Sequence, residues 1–334
     1  MMKLAMIGAT GHTNYVFAGL REPPEVKLAA MAVGSAGETL DKVTQTAQRE
    51  GHSPVVYADY IELLDEVEPE IVAVACHFHD HARIAAEALR RGIHVFVEKP
   101  VATTLDDLAL LREAYAVAEG KGVHLAAMLG IRYQPAFLAA WLAVKDGTVG
   151  KVRLLQAQKS YRLGRRGDPF TKRHTYGGTI PWVGDHAIDW VHWYSGRRFE
   201  TVYATHSTLF NEGHGELELT AQCQFTMSGE TAASVSIDYL RPNEAPSHGD
   251  DRIRIAGTAG VLEVRDQQVL LINARQTGVQ ESPLVPKREL FADFVRQING
   301  EGRCLVSAED SFYVTEACLR ALMSADEKRV VHFD

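Results

Sequence analysis

The most constraining feature of the sequence is a regular alternation of short apolar runs with longer segments of helical periodicity, which continues through about residue 130. The apolar runs include KLAMI, VKLAAMAV, EIVAVAC and IHVFV. Continuous apolar runs are typical of parallel strands covered on both faces, and consecutive parallel strands need a crossover that is usually a helix. The pattern therefore predicts an α/β domain with a doubly wound parallel sheet over residues 1–129.

From about Lys151 the pattern changes to strict alternation of apolar and polar residues, as in KVRLLQAQKSY, ETAASVSIDYL and RIRIAGTAGVLEV. This period of two is typical of antiparallel strands with one face away from the core. Two later segments, ELFADFVRQING and AEDSFYVTEACLRALMSA, return to helical spacing. We therefore predict a second domain over residues 130–334, of the α+β class with an open, mostly antiparallel sheet; a chain of 334 residues is comfortable for two domains.

The overall charge and the cysteines narrow the class of function. The net charge of −8 gives no global basic field for nucleic acid or for an anionic membrane surface, and no apolar stretch has the length of a membrane span. The four cysteines form no CxxC pair, which favours a reducing, cytoplasmic location. We expect a small-molecule ligand rather than a nucleic acid or a membrane.

The stretch MIGATGHTN joins the first predicted strand to the first predicted helix. Backbone N–H groups in such a turn can hold a diphosphate at the helix N-terminus, as in Rossmann-type dinucleotide-binding domains. The usual GxGxxG pattern is only partly present, with Gly8, Thr10 and Thr13 at its three positions and Gly11 in addition. A plain strand-to-helix turn is the alternative, but the position at the start of a βαβ series favours nucleotide binding.

The residue at the end of the second strand commonly distinguishes NAD from NADP, because an acidic side chain there binds the ribose hydroxyls. Val33 occupies that position, and neither an acidic residue nor an arginine lies directly beside it. Ser35 and Lys42 are weak hints of a phosphate contact. The sequence therefore leaves NAD and NADP as equal alternatives.

The stretch VFVEKP ends a buried strand with Glu98, Lys99 and Pro100. Proline biases the preceding residue towards an extended conformation, which would point Lys99 into the crevice at the carboxyl ends of the strands. An ammonium there can bind a substrate oxygen and stabilise negative charge on it. The alternative is an ordinary surface ion pair at a strand end.

A second candidate group follows in GGTIPWVGDHAIDWVHW. In a helix that begins near Gly184, His186 and Asp189 share a face, and a histidine beside a carboxylate is suited to proton transfer at neutral pH. A buried structural histidine is the alternative. A metal site of His186, Asp189 and His192 is disfavoured, because zinc-binding helices place their histidines at i and i+4.

Two further stretches are candidates for ligand contacts. His77, His79 and His81 would share one face if the chain were extended, which allows a metal site, a ligand-lining role or a structural role. The second is a cationic run before His186, which is either a solvated loop or a loop that holds an anion such as a carboxylated sugar. The cations of this run are Arg162, Arg165, Arg166, Lys172 and Arg173.

The order of these features resembles the glucose–fructose oxidoreductase and inositol dehydrogenase family, written Gfo/Idh/MocA, over essentially the whole chain. The resemblance implies an NAD or NADP cofactor, a sugar or polyol substrate, and a homodimer or homotetramer formed through the C-terminal sheet. It also implies that Lys99 orients the substrate and that His186 acts as acid or base. Many members carry an aspartate four residues before that histidine; here the residue is Trp182, which we expect to stack on a sugar ring, with Asp185 or Asp189 as the acid.

These arguments give a set of expected site residues. We expect Lys99, His186 and Asp189 to be catalytic, and we expect no metal. The expected cofactor contacts are Gly8, Thr10, Gly11, His12, Thr13, Ser35, Cys76, His77, His81, Glu98 and Lys99. The expected substrate contacts are Lys99, Arg132, Tyr161, Arg162, Tyr176, Trp182, Asp185 and His186.

Three functions compete. The first is an NAD(P)-dependent oxidoreductase that transfers a hydride between the cofactor and a CH–OH carbon of a sugar, polyol or sugar acid. The second is a glycoside-cleaving or lyase enzyme that retains its cofactor and oxidises the substrate only transiently. The third is a non-catalytic nucleotide or sugar sensor. Retention of both Lys99 and His186 favours the enzymes over the sensor.

Overall fold

A computed structural model describes residues 1–22 and 25–333, without the side chain of Gln276. Its strands are β1 Met2–Ile7, β2 Val26–Ala32, β3 Val55–Tyr57, β4 Ile71–Val74, β5 His94–Val97, β6 Leu125–Ala127, β7 Val152–Tyr161, β8 Phe199–Ser207, β9 Thr220–Met227, β10 Thr231–Asp238, β11 Gly249–Gly257, β12 Gly260–Arg265, β13 Gln268–Asn273, β14 Gln276–Glu281 and β15 Val331–His332. Its helices are α1 Thr13–Leu20, α2 Asp41–Arg49, α3 Tyr60–Val67, α4 His81–Arg90, α5 Leu105–Glu119, α6 Pro135–Lys145, α7 Arg173–Tyr176, α8 Asp185–Ser195, α9 Leu290–Ile298 and α10 Ala308–Glu327.

The chain forms two compact units: the first comprises residues 1–130 and 288–315, and the second comprises residues 131–287 and 316–334. The first unit contains a six-stranded sheet in the order β3-β2-β1-β4-β5-β6, and every neighbouring pair is parallel. This order is that of a doubly wound dinucleotide-binding sheet. The predicted Rossmann-type domain is thus confirmed, and the order reverses between β1 and β4, where such sheets bind ligands.

The C-terminal part of the first unit differs from the single boundary at residue 130 that the sequence pattern predicts. Residues 288–315 pack with the N-terminal sheet. Two rings of α9, Phe291 and Phe294, lie 5.2 and 5.6 Å from the ring of Phe96 in β5, centroid to centroid. Burial of these rings stabilises the contact between α9 and the N-terminal sheet, although the two are far apart in the sequence. A change of periodicity along the chain does not indicate such a contact.

The second unit is built on a nine-stranded sheet in the order β14-β13-β12-β11-β7-β10-β9-β8-β15, counted over the residues the structure describes. Neighbouring strands are antiparallel except β7 and β10, so the predicted mostly antiparallel sheet is confirmed. One face of β7 carries the buried residues Leu155, Ala157 and Lys159, and this strand packs against α8. The alternation predicted from KVRLLQAQKSY thus holds, with a lysine on the buried face.

Within the ranges 1–22 and 25–333, no helix combines the length and the apolar character that crossing a bilayer requires.

Candidate functional site

The Gly-containing turn follows β1 at the point where the order of the sheet reverses. Gly8 and Gly11 have φ angles of 93° and 79°, a region that favours glycine. A Cβ atom on Gly8 would lie 2.4 Å from the Cα of Cys76, and one on Gly11 would lie 2.7 Å from the Cδ of Glu98. Helix α1 begins directly afterwards at Thr13, so the turn combines close backbone approach with a helix N-terminus, as a diphosphate site requires.

Sequence reasoning missed Glu38, whose carboxylate lies beside this turn. Oε1 of Glu38 accepts hydrogen bonds from the N–H of Ala9 at 2.8 Å and from the hydroxyl of Thr10 at 3.0 Å. Its Oε2 accepts from the N–H of Gly34 at 3.1 Å. An acidic residue is therefore present at the carboxyl ends of β1 and β2, although Val33 follows β2 directly. The signal was a glutamate five residues farther along, after the Gly37 turn.

Ser35 connects two loops on the same side of the first sheet. Its hydroxyl donates to Oδ2 of Asp80 at 2.7 Å and accepts from the N–H of His77 at 3.1 Å. The neighbouring Cys76 is fully buried, and burial raises the pKa of its thiol, which is therefore neutral. These contacts place Ser35, Cys76 and His77 together beside the Gly turn, which is the glycine-containing turn that follows β1.

His81 was expected to contact the cofactor, and the structure gives it a different environment. It is fully buried; its Nδ1 lies 2.8 Å from the carbonyl oxygen of Pro100 and its Nε2 lies 3.1 Å from that of Cys76. Both ring nitrogens thus lie at backbone carbonyls, and the ring connects the loop after β4 to the loop after β5. A short 3₁₀ turn at Phe78–Asp80 interrupts the extended spacing of His77, His79 and His81.

Glu98 and Lys99 at the end of β5 are both buried, so they are not a surface ion pair. Oε2 of Glu98 accepts from the N–H of His12 at 3.1 Å, its Oε1 lies 2.8 Å from His12 Nδ1, and the Nζ of Lys99 lies 3.9 Å from Oε1. Burial alone would raise the pKa of Glu98, but His12 and Lys99 outweigh burial, and the net pKa is lowered. Glu98 is therefore an ionised carboxylate between the Gly turn and Lys99.

The second unit carries His186 at the start of α8, preceded by a π turn at Ile180–Gly184. Asp185, His186 and Asp189 are all buried. The Nε of Arg132 donates to both carboxylate oxygens of Asp189, at 3.1 and 3.0 Å, and Nη2 of the same guanidinium also contacts Asp189. This ion pair connects Asp189 on α8 to the buried Arg132, and Asp185 is the acid next to His186 in the chain.

Two aromatic residues expected at the substrate have partners within the second unit. Tyr176 is fully buried and its hydroxyl donates to the carboxylate of Glu218; burial, followed by Glu218, raises its pKa. Trp182 stacks on Phe170 with centroids 4.6 Å apart and meets Tyr176 edge to face at 5.9 Å. Tyr176 therefore has a hydrogen-bond partner within the second unit, and Trp182 has aromatic partners there.

Sequence reasoning also missed Lys159, although its place in the apolar alternation of β7 was a usable signal. It is fully buried and its Nζ pairs with Asp251 at 2.7 Å. The same Nζ lies 4.7 Å from the ring centroid of Tyr161 and 5.3 Å from that of Trp190. Tyr161 in turn stacks on His248 at 4.9 Å. Arg162 begins the loop after β7 and contacts the carbonyl of Ala245.

A metal site receives no support from the part of the chain that the structure describes, in which no group of three His, Cys, Asp or Glu side chains is arranged to hold an ion. In particular, His192 lies 3.1 Å from the carbonyl of Arg197 through its Nδ1, and Asp189 is paired with Arg132.

Comparison with known proteins identifies the class. Residues 2–129 match the model described as an oxidoreductase family with an NAD-binding Rossmann fold, and residues 137–263 match the GFO/IDH/MocA C-terminal domain. An oxidoreductase structure from Thermotoga maritima is 47% identical, covers 99% of this chain and 100% of its own, and has a TM-score of 0.96. The chain belongs to the Gfo/Idh/MocA oxidoreductase family, whose first domain binds NAD.

More distant relatives have named activities. The myo-inositol 2-dehydrogenase of Thermotoga maritima is 25% identical over 83% of this chain and 84% of its own length. A levoglucosan dehydrogenase bound to NADH and levoglucosan is 18% identical, covers 99% of both chains and has a TM-score of 0.83, which shows the shared fold. Three other curated relatives, among them a glycosyl hydrolase family 109 protein of Akkermansia muciniphila, match over only 40%, 58% and 34% of their lengths.

Proposed function

We propose that the protein is an NAD-dependent oxidoreductase that acts on a CH–OH group of a sugar, polyol or sugar acid. The observation that carries the proposal is the buried Glu98–Lys99 pair at the end of β5, next to the Gly turn of an NAD-binding domain. Relatives named as dehydrogenases of inositol and of levoglucosan support the substrate class. When bound, the nicotinamide ring supplies the site that accepts or returns the hydride.

Lys99 holds the substrate oxygen in this proposal. Glu98 is ionised, and a carboxylate nearby favours the charged form of an ammonium. The ammonium donates a hydrogen bond to the hydroxyl or carbonyl oxygen at the reacting carbon and stabilises the negative charge that develops there. Its burial removes competing water, which strengthens the interaction.

His186 takes the proton of the substrate hydroxyl while the hydride leaves the same carbon. Imidazole suits this role because its ordinary pKa lies near neutrality. The Arg132–Asp189 pair fixes α8, and thereby His186, in one orientation. In the reverse direction His186 returns the proton to the oxygen as the carbonyl is reduced.

Glu38 supports NAD rather than NADP within this proposal. Its carboxylate lies at the N–H groups of Ala9 and Gly34, where the first two strands end. An acid in this region accepts from the ribose hydroxyls and repels a 2′-phosphate. The sequence left this choice open because Glu38 is not the residue that directly follows β2.

Substitution of the lysine tests the proposal. We expect Lys99→Met to lower kcat by at least about 10²-fold, the loss typical of a group that stabilises charge or moves a proton, while NAD affinity changes by less than about threefold. NADH formation from a panel of polyols, aldoses and aldonates measures turnover, and calorimetry measures NAD binding. Lys121→Met, at an exposed lysine, is the matched control. Unchanged turnover in Lys99→Met would remove this residue from the mechanism.

Transient oxidation without net redox change is the second candidate, supported by the relative named as a glycosyl hydrolase. In that reaction the hydride removed from the substrate returns to it after a bond has been cleaved. Stoichiometric NADH accumulation excludes this candidate, whereas product formation with catalytic NAD and no NADH supports it.

We further propose a homo-oligomer formed through the open face of the second sheet, in a reducing compartment. That face carries polar side chains such as Gln156, Gln158, Ser234 and Arg254, which are exposed or half-buried. The four cysteines, Cys76, Cys223, Cys304 and Cys318, are all buried, and none of them forms a disulfide within the described part of the chain, which supports a reducing environment.

A further inference from the structure

A cluster of cations in the second unit has more positive charge than its own carboxylates balance. We call Lys159, Arg162 and Arg166 the cation cluster. The carboxylate of Asp251 pairs with Lys159 at 2.7 Å. Among the residues that the structure describes, no carboxylate forms an ion pair with Arg162 or Arg166, and the buried Nε of each has no hydrogen-bond partner. Two guanidinium groups are thus partly desolvated without a counter-ion, which is costly unless a ligand supplies one.

Aromatic rings hold one of these guanidinium groups in place. The central carbon of Arg166 lies 5.3 Å from the ring centroid of Trp182 and 5.0 Å from that of Tyr239. Its Nη2 donates to the carbonyl of Arg162 at 3.1 Å. A planar guanidinium held between rings and a carbonyl is pre-organised, so little side-chain entropy is lost when it binds an anion.

The charge of the cluster is also felt at a neighbouring imidazole. The pKa of His248 is lowered, first by burial and then by the positive charges of Arg166, Arg162 and Lys159. Asp251 acts in the opposite direction and does not restore the pKa. The three cations therefore lie close enough together to produce a net positive field around His248 and the stacked Tyr161.

The cluster flanks the segment that carries His186. Trp182, under Arg166, precedes His186 by four residues, and Trp190, under Lys159, follows it by four residues. Residues four apart on successive helical turns are neighbours on one side of a helix. The cluster therefore contacts the helical segment on both sides of His186 in the sequence, and we infer that an anion bound there belongs to the molecule on which His186 acts.

We propose that the substrate carries a carboxylate, as aldonates and uronates do, and that Arg166, supported by Arg162, binds it through a pair of parallel N–H···O bonds. This inference rests on the proposed function and deepens it. Neutral sugars and polyols would leave the two guanidinium groups without a counter-ion and bind more weakly. Lys159 is already paired with Asp251, so it contributes a positive electrostatic field at the bound carboxylate and not a direct hydrogen bond. A sugar phosphate shares the anionic chemistry and can also pair with a guanidinium through two oxygens, so the experiment includes a phosphate ester to distinguish the two.

The experiment compares kcat/KM for gluconate and galacturonate, for glucose and myo-inositol, and for glucose 6-phosphate. The proteins are the unmodified enzyme, Arg166→Gln, Arg166→Lys and the control Arg90→Gln at an exposed arginine of α4. We expect the carboxylates to be preferred by at least about tenfold and Arg166→Gln to reduce their kcat/KM by about 10- to 100-fold through KM, the range for a charge-assisted hydrogen bond. Arg166→Lys should recover part of the loss, and Arg90→Gln should match the unmodified enzyme.

The other outcomes separate this inference from the proposed function. Turnover of neutral sugars that equals or exceeds that of carboxylates, with no effect of Arg166→Gln, overturns the inference and leaves the oxidoreductase standing. Preference for the phosphate ester overturns the carboxylate assignment. No NADH from any compound contradicts the proposed function; calorimetric titration of gluconate into the protein with NADH then tests the cluster alone, and equal affinity in Arg166→Gln contradicts it. Arg166→Lys and a thermal melt of each variant distinguish lost binding from lost folding.

Discussion

Glu38 shows how a functional side chain can escape a search based on position in the sequence. The expected acid directly after β2 is replaced by Val33, yet the carboxylate of Glu38 reaches the N–H groups of Ala9 and Gly34. The intervening turn decides this, because Gly37 adopts a φ of 76° and lets the chain fold back. A loop conformation of this kind is set by tertiary contacts and not by periodicity.

The charge of Glu38 predicts cofactor preference. We expect Glu38→Gln to lower the ratio of kcat/KM with NAD to that with NADP by at least about tenfold, because the like charge that opposes a 2′-phosphate is gone. Steady-state rates with both cofactors measure this ratio. Asp41→Asn, at an exposed acid in the first turn of α2, is the control and should leave the ratio unchanged. An unaltered ratio in Glu38→Gln would mean that other groups choose the cofactor.

Lys159 and Asp189 show the limits of sequence reasoning for single residues. The alternation in β7 placed Lys159 on the buried face, but its partner Asp251 lies 92 residues away in the chain. Asp189 shares a helix face with His186, and its carboxylate also pairs with Arg132, 57 residues earlier, which the spacing did not indicate. Pairings over such distances are tertiary, so residue type and spacing can nominate candidates but cannot assign their partners.

At the scale of elements, the order of strands and helices was predictable as far as residue 130 because parallel strands and crossover helices have distinct periods. The antiparallel strands of the second sheet were predictable for the same reason. The packing of α9 against β5 was not, because it depends on which apolar surface is available and not on the pattern within α9. The short π-helix before α8 was likewise not predictable, since no local composition indicates it.

The contact between the histidines at the start of β5 and just before β6 leads us to predict that the free energy of unfolding depends on pH. The Nδ1 of His94 accepts a hydrogen bond from the N–H of His124 at 3.0 Å, and the two rings stack at 5.4 Å. Burial, followed by the charge of His124, lowers the pKa of His94 to about 4. The unfolded chain takes up this proton near the ordinary pKa of about 6.5, before the folded protein does, so the free energy of unfolding should decrease as the pH falls from about 6.5 to about 4.

Thermal melts across that pH range measure the response, and histidine NMR titration assigns it. We expect His94→Asn to be less stable at pH 7 and to depend less on pH than the unmodified protein. His332→Asn, at an exposed histidine, is the control and should retain the full slope. If the signal of His94 titrates near 6.5, burial does not control this ring and the prediction is contradicted.

At the scale of the whole molecule, the chain comprises two units with different chemical equipment. The first has a Gly turn, an acid at its strand ends and a buried Glu98–Lys99 pair. The second has His186 on α8, which the Arg132–Asp189 ion pair anchors, and the cation cluster. Membership of the Gfo/Idh/MocA family relates the first set to NAD binding, and our proposal relates the second set to an anionic sugar.

Transfer of deuterium is the most direct test of the central claim that a hydride passes between substrate and nicotinamide. The measurement incubates the enzyme with NAD and perdeuterated gluconate, glucose or myo-inositol, and mass spectrometry follows the reduced cofactor. We predict one deuterium in each reduced cofactor molecule, formed in proportion to oxidised product, and slower turnover than with the unlabelled substrate. Product that forms without deuterated cofactor, or reduced cofactor that carries no deuterium, would contradict the account.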